Sequence, residues 1–264
     1  MALNIWALTI VKAAGSEIGA PQLVFLRALT GLIVMSPWIW LARARFREAR
    51  APGLHLARVL LSTTALTCSF YAIARLPLAL FTAINFTRPL VMIALAALFL
   101  GERATPRRWL AAGIGLCGVL LAVRPDQGVV NLALLALLAT VVTGTAAIVV
   151  TRKINDQPTI VLMTAYTAGL ALTTAPLALT GWMPVATGDW PVLLAIGVFA
   201  QGAQFCFLQA HRLAEAGVLA ILGYASLIVS TTVGWAVFDE LPTPGFWAGA
   251  ALIVVASWIA RRPA

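Results

Sequence analysis

The chain contains the stretch ERATPRRWLAAGIGLCGVLLAVRP at residues 102–125 and repeats its pattern as ELPTPGFWAGAALIVVASWIARRP at residues 240–263. Six residues recur at a constant offset of 138 positions, as in 240 − 102. The shared residues are Glu102, Thr105, Pro106, Trp109, Arg124 and Pro125 in the first copy and Glu240, Thr243, Pro244, Trp247, Arg262 and Pro263 in the second. A unit of this length is too long for a solenoid repeat, so the pattern predicts two related halves, residues 1–125 and 126–264.

Composition places both halves in a membrane. Hydrophobic residues make up 61% of the chain and charged residues 10%, whereas a soluble domain is about 45–50% apolar. The net charge of +9 could suggest a nucleic-acid partner, but the basic residues are spread over short loops between apolar segments, which is typical of membrane orientation. The three cysteines lie in apolar stretches without metal or disulfide spacing, so the sequence predicts no metal and no cofactor.

Ten apolar segments are separated by short breaks that often carry Pro or Gly, and about 20 apolar residues carry a helix across a bilayer. The predicted spans are Ala2–Ala14, Gln22–Leu41, Leu54–Ala74, Ala79–Leu100, Trp109–Val123, Val129–Val150, Thr159–Leu179, Trp190–Gln209, Ala216–Phe238 and Phe246–Ala260. The sequence therefore predicts an all-α polytopic membrane protein with ten transmembrane helices in two five-helix repeats. Because five is odd, the second repeat is inverted relative to the first.

Basic residues predict which face is cytoplasmic. With a cytoplasmic amino terminus, thirteen arginines and lysines fall on the inner loops, flanks and tail, and only Lys12, Arg75 and Arg124 fall on the outer edges. Cytoplasmic loops carry an excess of basic residues. Both termini are therefore predicted to be cytoplasmic, in the inner membrane if the source is a bacterium.

The first span is short. It offers 11 residues before Lys12, about 16 Å of helix, whereas its counterpart in the second half offers 22 residues before Arg152. The run has no charged start and no convincing cleavage site, which disfavours a signal peptide. We expect the true first helix to extend roughly ten residues upstream of Met1.

The segments Leu76–Pro125 and Arg212–Pro263 each resemble the end of an EamA domain, a family of the drug/metabolite transporter superfamily. The resemblance covers nearly the whole chain, and its most specific part is the block of apolar span, acidic residue, Pro and apolar span. It implies two inverted five-helix halves around a central cavity, alternating access, and a small organic solute such as an amino acid, a nucleoside, a vitamin or S-adenosylmethionine. Many members carry Pro at the position of Pro89 in both halves, whereas the second half here has Leu227.

Arg88 is the leading candidate for solute binding. It lies about nine residues into the fourth span, roughly 14 Å along the helix, where a cation costs at least about 2.5–3.5 kcal/mol and normally serves a function. By spacing, Thr82, Asn85 and Met92 share its helix face and form a largely polar stripe with it. The alternative is that Arg88 only caps the carbonyl that Pro89 leaves free at Asn85 and supports a helix kink.

The second half offers space opposite this charge. The residues 138 positions after Thr82, Asn85, Arg88 and Met92 are their counterparts in the second half: Ala220, Gly223, Ser226 and Ser230. Small residues there suit an asymmetric solute, but they equally suit close helix packing. Further candidate solute contacts are Tyr224, Gln204, Gln201, Tyr71 and Trp6, for each of which an interhelical hydrogen bond or core packing is the alternative. Arg27 is expected at the outer interface or at the entrance to the pathway.

Acidic residues and glycines are assigned structural roles. All nine acidic residues, Glu102 and Glu240 among them, lie in loops or at span ends, so no midplane carboxylate is available as a proton relay. Small residues in the fifth and tenth spans predict that the last helices of the two halves pack closely. These residues are Gly113, Gly115 and Gly118 in the fifth span and Gly249, Ala256 and Ala260 in the tenth.

The leading function is secondary transport of a small anionic or zwitterionic metabolite, because a guanidinium fork suits a carboxylate. The alternative is an intramembrane enzyme or lipid-modifying protein, but His55 and His211 are the only histidines and neither H-E-x-x-H nor G-x-S-x-G occurs. No catalytic residue is therefore predicted. A passive membrane subunit would gain little from Arg88. The predicted partners are a small solute and the lipid bilayer, without nucleic acid, and a monomer is compatible with the sequence.

Overall fold

The computed structural model describes residues 2–14, 18–85, 87–88, 91–92, 95, 106–123, 132–213, 229–241 and 244–261. In these ranges the chain forms ten α-helices and no strand. They are α1 (Ala2–Ala14), α2 (Ala20–Leu41), α3 (Pro52–Ile73), α4 (Leu78–Asn85), α5 (Pro106–Val123), α6 (Leu132–Lys153), α7 (Thr159–Thr180), α8 (Trp190–Leu213), α9 (Val229–Phe238) and α10 (Pro244–Arg261). Helical residues also occur beyond α4, at 88, 91, 92 and 95. The prediction of an all-α polytopic protein is confirmed.

Proline and basic residues mark the helix ends. Pro52, Pro106 and Pro244 are the first residues of α3, α5 and α10, where the missing N–H has no intrahelical acceptor in any case. At the other end, Arg152 and Lys153 close α6, where cations complement the carbonyl end of the helix. These are the breaks between apolar segments that the sequence predicted.

The protein presents an apolar surface suited to a bilayer. Five of the described helices are long and apolar enough to cross a membrane. They are α2, α3, α6, α7 and α8, the last counted together with the turn that begins at Thr187. Large hydrophobic side chains such as Leu41, Leu172 and Leu241 are largely exposed at the surface. A water-soluble protein rarely exposes apolar patches on this scale. The chain is therefore a multi-pass integral membrane protein.

Contacts between helices follow the repeat, which equates α1 with α6, α2 with α7, α3 with α8, α4 with α9 and α5 with α10. The helix α3 packs against α6 as α8 packs against α1, and α3 packs against α7 as α8 packs against α2. Two helices pack against their own counterparts: α2 against α7 and α5 against α10. This is the pattern that a two-fold relation between the halves predicts.

The predicted contact between the last helices of the halves is confirmed at Gly118. A Cβ placed on this residue would lie 2.8 Å from the Gly249 carbonyl oxygen and 2.8 Å from Ile253 Cγ1. The backbones of α5 and α10 approach this closely because Gly118 has no side chain. Gly113 differs from the prediction, because it is exposed and a Cβ there would meet nothing within 4 Å.

A central core packs α1, α2, α3, α4, α6, α7 and α8 together. Its fully buried side chains include Leu23, Ile73, Leu137, Leu170 and Leu193. The helix α4 contributes Leu78, Leu80, Phe81 and Ile84 to this core, and its Ala79 and Ala83 pack with α10 instead. One side of α4 therefore packs on the central core and another on α10, and the polar stripe lies on the side that neither covers.

Candidate functional site

Arg88 lies ten residues after the start of α4, about 15 Å along the chain if the helical rise is maintained. Its guanidinium lies against α6, where a Cβ placed on Gly144 would be 3.3 Å from Nη2 and 3.6 Å from Cζ. The same point is 3.7 Å from the Ala65 Cβ of α3. Arg88 therefore occupies the place where α4 meets the α3–α6 pair, and Gly144 makes room for it.

The Arg88 guanidinium is not fully satisfied by the residues that the structure describes. Its Nε is inaccessible to solvent and has no hydrogen-bond partner among them. The side chain as a whole is only half-buried, so the rest of it borders open space. A buried donor left without an acceptor costs about 1–3 kcal/mol, and more when it is charged. An anionic group brought to this point would remove that cost.

Two other members of the predicted stripe turn their donors onto their own helix. Thr82 Oγ1 donates to the Leu78 carbonyl at 2.9 Å, and Asn85 Nδ2 donates to the Phe81 carbonyl at 2.8 Å. Both side chains are half-buried. The Thr82 hydroxyl hydrogen and one amide N–H of Asn85 are engaged in these bonds. A ligand could therefore meet two acceptors, the Thr82 hydroxyl oxygen and the Asn85 amide oxygen, and the second N–H of Asn85. The stripe thus combines acceptors with the cation of Arg88.

Two further arginines are buried within the helix bundle, both against the ring of Tyr166. Arg58 is 2% exposed, its Cζ lies 5.0 Å from the ring centroid, and its Nη1 donates to the Leu162 carbonyl at 3.0 Å. The Arg27 Cζ lies 6.0 Å from the same centroid, and the residue is 9% exposed. Cations over an aromatic face are attracted by its quadrupole, more strongly when they are desolvated.

This cluster shows the burial of two arginines that the sequence places only by position along the chain. Arg58 is one of the thirteen basic residues that the charge count places on the cytoplasmic side, and in the structure it is the seventh residue of α3. A signal for its burial was available, since it lies more than a turn inside an apolar span. Arg27, expected at the outer interface or at the entrance to the pathway, is buried with its guanidinium against Tyr166. The Tyr166 ring provides a stacking face that holds both arginines.

Gln201 belongs to a polar contact among α2, α7 and α8. Its Oε1 accepts from Thr167 Oγ1 at 3.4 Å, and its Nε2 contacts the Thr167 hydroxyl and Met35 Sδ. The residue is buried beside Gly31, where a Cβ would lie 2.9 Å from Oε1. Gln201 thus makes an interhelical hydrogen bond, which the sequence analysis gave as the alternative to solute contact. Gln204, one turn along α8, is half-buried.

The remaining predicted site residues lie apart from this polar stripe. Tyr71 is half-buried on α3 and packs against the central core, and the Arg75 Cζ lies 3.9 Å from its ring centroid. Tyr71 and Arg75 border a mostly apolar cavity of about 440 Å³. Trp6 is 51% exposed on α1. Among the described residues, no hydrogen bond or ring contact joins either aromatic residue to Arg88. Tyr224 and Ser226 lie outside the described residues.

Catalytic chemistry finds no support in the described part of the chain. No group of three or more His, Cys, Asp or Glu side chains there could hold a metal ion. His55 Nε2 lies 3.0 Å from Gln157 Oε1, and Gln157 Nε2 donates to the Arg50 carbonyl at 3.1 Å. This histidine therefore contacts the loop beyond α6, consistent with a structural role.

Comparison with known proteins agrees with the architecture. The sequence profile of the EamA-like transporter family matches residues 1–124 and 131–262. A riboflavin transporter of Brucella anthropi is 29% identical over 94% of this chain and 91% of its own length. A pseudopaline exporter of Pseudomonas aeruginosa is 30% identical over 94% and 88%. An S-adenosylmethionine uptake transporter of Rickettsia felis is 23% identical over 93% and 84%.

A solved crystal structure shares the fold. It superposes with a TM-score of 0.68 over 98% of this chain and 95% of its own, at 20% sequence identity. At that identity the likeness concerns the fold alone.

Proposed function

The chain belongs to the EamA-like transporter family, and on that premise we propose that it moves an anionic or zwitterionic metabolite across the membrane by alternating access. Its curated relatives are transporters of small metabolites, so the protein is a transporter and the enzyme alternative is set aside. Its partners are the solute and the surrounding lipid. The proposal adds the charge of the solute, the site that binds it and the way access alternates.

The observation that carries the proposal is the guanidinium of Arg88. It is a cation well inside the fourth span, its Nε has no partner among the described residues, and all nine carboxylates of the sequence lie in loops or at span ends. A charge in such a place faces a pathway or a ligand as a rule. A carboxylate of the solute would accept two parallel hydrogen bonds from the guanidinium fork.

The acceptors of the stripe favour a zwitterion within this class. Thr82 and Asn85 keep oxygen atoms for a donor, and an ammonium or amide group of the solute has donors to offer. The named relatives carry three different solutes, so membership of the family does not select one. The chemistry of the stripe is therefore the better guide to the solute of this protein.

Alternating access is supported by the symmetry of the helix contacts. The pairs α3–α6 and α8–α1 are equivalent under exchange of the halves, as are α3–α7 and α8–α2. Two inverted halves, residues 1–125 and 126–264, can exchange conformations and so open the same central site first to one face and then to the other. No nucleic acid takes part, and a monomer suffices for this cycle.

The function is tested with purified protein in two steps. A ligand that binds the native state raises its apparent melting temperature, so a metabolite panel is first screened for stabilisation. Radiolabelled hits are then assayed for counterflow in proteoliposomes, beside one dicarboxylate, one amino acid and one polyamine. We expect counterflow of solutes with a carboxylate and none of the polyamine. Counterflow restricted to cations without an anionic group would refute the proposal.

Gly144 offers a test of the Arg88 position that leaves the charge in place. A leucine there needs the volume that the guanidinium occupies, so Gly144→Leu is expected to lower counterflow about tenfold or more, since shifts of about 1 Å in a binding group are costly. Gly144→Ala meets the flexible end of Arg88 at 3.3 Å and the Ala65 Cβ at an ordinary contact distance of 3.7 Å, and is expected to stay near wild type. Gly113→Leu is the matched control, because nothing lies within 4 Å of that site. Normal transport by Gly144→Leu would show that the guanidinium position is immaterial.

We propose that both termini lie in the cytoplasm. Thirteen basic residues against three favour this arrangement. Green fluorescent protein fused to either terminus is expected to fluoresce, and alkaline phosphatase fused there is expected to be inactive. Phosphatase activity at the carboxyl terminus would contradict the ten-span orientation.

A further inference from the structure

An ion pair joins the two halves of the chain at one face of the protein. Lys12 Nζ lies 2.8 Å from Glu240 Oε1, and the two side chains are 10% and 21% exposed. Lys12 closes the first helix of the first half, and Glu240 follows the fourth helix of the second half, α9. The Lys12 Nζ also lies 5.3 Å from the ring centroid of Phe238. We call the face with Lys12, Leu76, Leu78 and Glu240 the Lys12 face.

Each partner of the pair also bonds to the connection between α3 and α4. Glu240 Oε2 accepts from the Leu78 N–H at 2.8 Å, and Lys12 Nζ donates to the Leu76 carbonyl at 2.5 Å and the Ile73 carbonyl at 3.4 Å. The anion thus sits at the amino end of α4 and the cation at the carboxyl end of α3, which is the favourable arrangement for both helix dipoles. No Ser, Thr, Asp or Asn precedes Leu78 as a cap, so the other half of the chain supplies it.

The backbone around Glu240 is shaped to place its carboxylate. Asp239 ends α9 in the left-handed conformation with φ 52°, and the Glu240 N–H returns to the Gly234 carbonyl at 3.1 Å. A Cβ on Gly234 would lie 3.2 Å from Glu240 Oε2, so a larger residue there would crowd the carboxylate. Glu240, expected from sequence to be structural, therefore has a defined partner in the other half of the chain.

We propose that Lys12 and Glu240 form the gate of the transport pathway at the Lys12 face, closed in this structure and separated when the solute site opens to that face. This inference rests on the proposed function. The repeat equates α4 with α9, and the pair ties the start of α4 to the end of α9. Arg88 lies ten residues beyond that start, so movement of α4 away from α9 would uncover the stripe.

The position of the pair suits reversible opening. Both side chains are partly exposed at the end of their helices, so each can enter water when the pair separates. A pair at the bilayer midplane could not do so, because its charges would lose water and partner together. The Leu78 N–H, released by Glu240, would likewise find water at the open face.

The first test needs no solute. In a background with Cys68, Cys117 and Cys206 replaced by alanine, Thr82→Cys places a thiol one turn beyond Leu78, and its reaction with a hydrophilic maleimide is timed in nanodiscs. Glu240→Gln keeps an oxygen for the Leu78 N–H but removes the charge, and is expected to speed labelling at least about fivefold. Lys12→Met should act alike and Lys12→Arg should stay near the parent, as should the control Glu48→Gln, which breaks only an exposed pair with Arg45. Unchanged labelling in Glu240→Gln would overturn the gate, as would failure of both Glu240→Gln and Lys12→Met to fold.

The second test distinguishes a gate from a static tie. In the same cysteine-free background, Lys12→Cys with Glu240→Cys is joined by a reducible bismethanethiosulfonate about as long as the two side chains. Counterflow is expected to stop on joining and to return with dithiothreitol, and continued counterflow in the joined protein would overturn the proposal. If wild-type protein moves no solute while the labelling result holds, the proposed function fails and the opening of this face stands.

Discussion

Replacing Arg88 with alanine is expected to abolish transport while the protein remains inserted in the membrane. The variant removes the guanidinium of the predicted fourth span, whose Nε lacks a partner among the described residues. A hydrogen bond to a charged group contributes about 1.5–3 kcal/mol, and a fork can donate two. Since 1.4 kcal/mol is a factor of ten, the expected loss of counterflow is about 100-fold or more. Insertion should improve, because an intramembrane charge has been removed.

Lysine at the same position separates charge from geometry. Arg88→Lys keeps the cation but loses the planar fork, so an intermediate loss of about tenfold is expected. The matched control is Arg45→Ala, which removes an exposed arginine paired with Glu48 at 3.8 Å and should leave counterflow unchanged. Counterflow, protein level and apparent melting temperature are measured on the same preparations. Normal transport by Arg88→Ala would mean that Arg88 only caps a kinked helix.

The fold was predictable because its signals are local. An apolar run and a basic or Pro-containing break identify a span without knowledge of its neighbours. For the spans described in full, predicted and observed ends differ by four residues at most, as for Gln209 against Leu213. The repeat then assigned each helix its counterpart, and the helix contacts follow those counterparts. The sequence repeat and the helix contacts agree because equivalent helices of the two halves carry similar sequences and pack against equivalent neighbours.

Partners across the fold were not predictable. Lys12 and Glu240 are nearly a full chain length apart, and nothing in the pattern around either residue names the other. Arg58 was assigned to a flank because charge counts record position along the chain and not burial, whereas Tyr166 and the Leu162 carbonyl hold it inside. A spacing argument gives the face of a helix, but the neighbour of that face depends on how the helices assemble.

Two glycines of α5 also show that the sequence does not identify the neighbour of a helix face. Gly113 and Gly118 both lie in an apolar span and were assigned one role, yet only Gly118 has a backbone against it. The two sites therefore form a matched pair for testing how much the contact between α5 and α10 contributes to stability. Since α5 and α10 close the two halves, this contact ties the repeats together.

Gly118→Val is expected to be the most destabilising single substitution at this contact. Its Cβ would lie 2.8 Å from the Gly249 carbonyl oxygen, and a backbone atom cannot rotate away, so α5 and α10 must separate. Overpacking costs about 1–3 kcal/mol or more, which for a chain of this size corresponds to a fall of roughly 5–10 °C in the apparent melting temperature. The measurement is thermal unfolding in detergent at one fixed scan rate, because such unfolding is commonly irreversible.

Two variants sharpen this result. Gly113→Val adds the same side chain to the same helix where nothing lies within 4 Å, so its melting temperature should stay within about 2 °C of wild type. Ile253→Ala, added to Gly118→Val, removes the side-chain part of the collision but leaves the Gly249 carbonyl oxygen in place. The double variant should therefore remain destabilised. Recovery to the wild-type melting temperature would mean that the Ile253 side chain sets the distance between the helices, and equal losses at residues 113 and 118 would mean that valine acts through α5 alone.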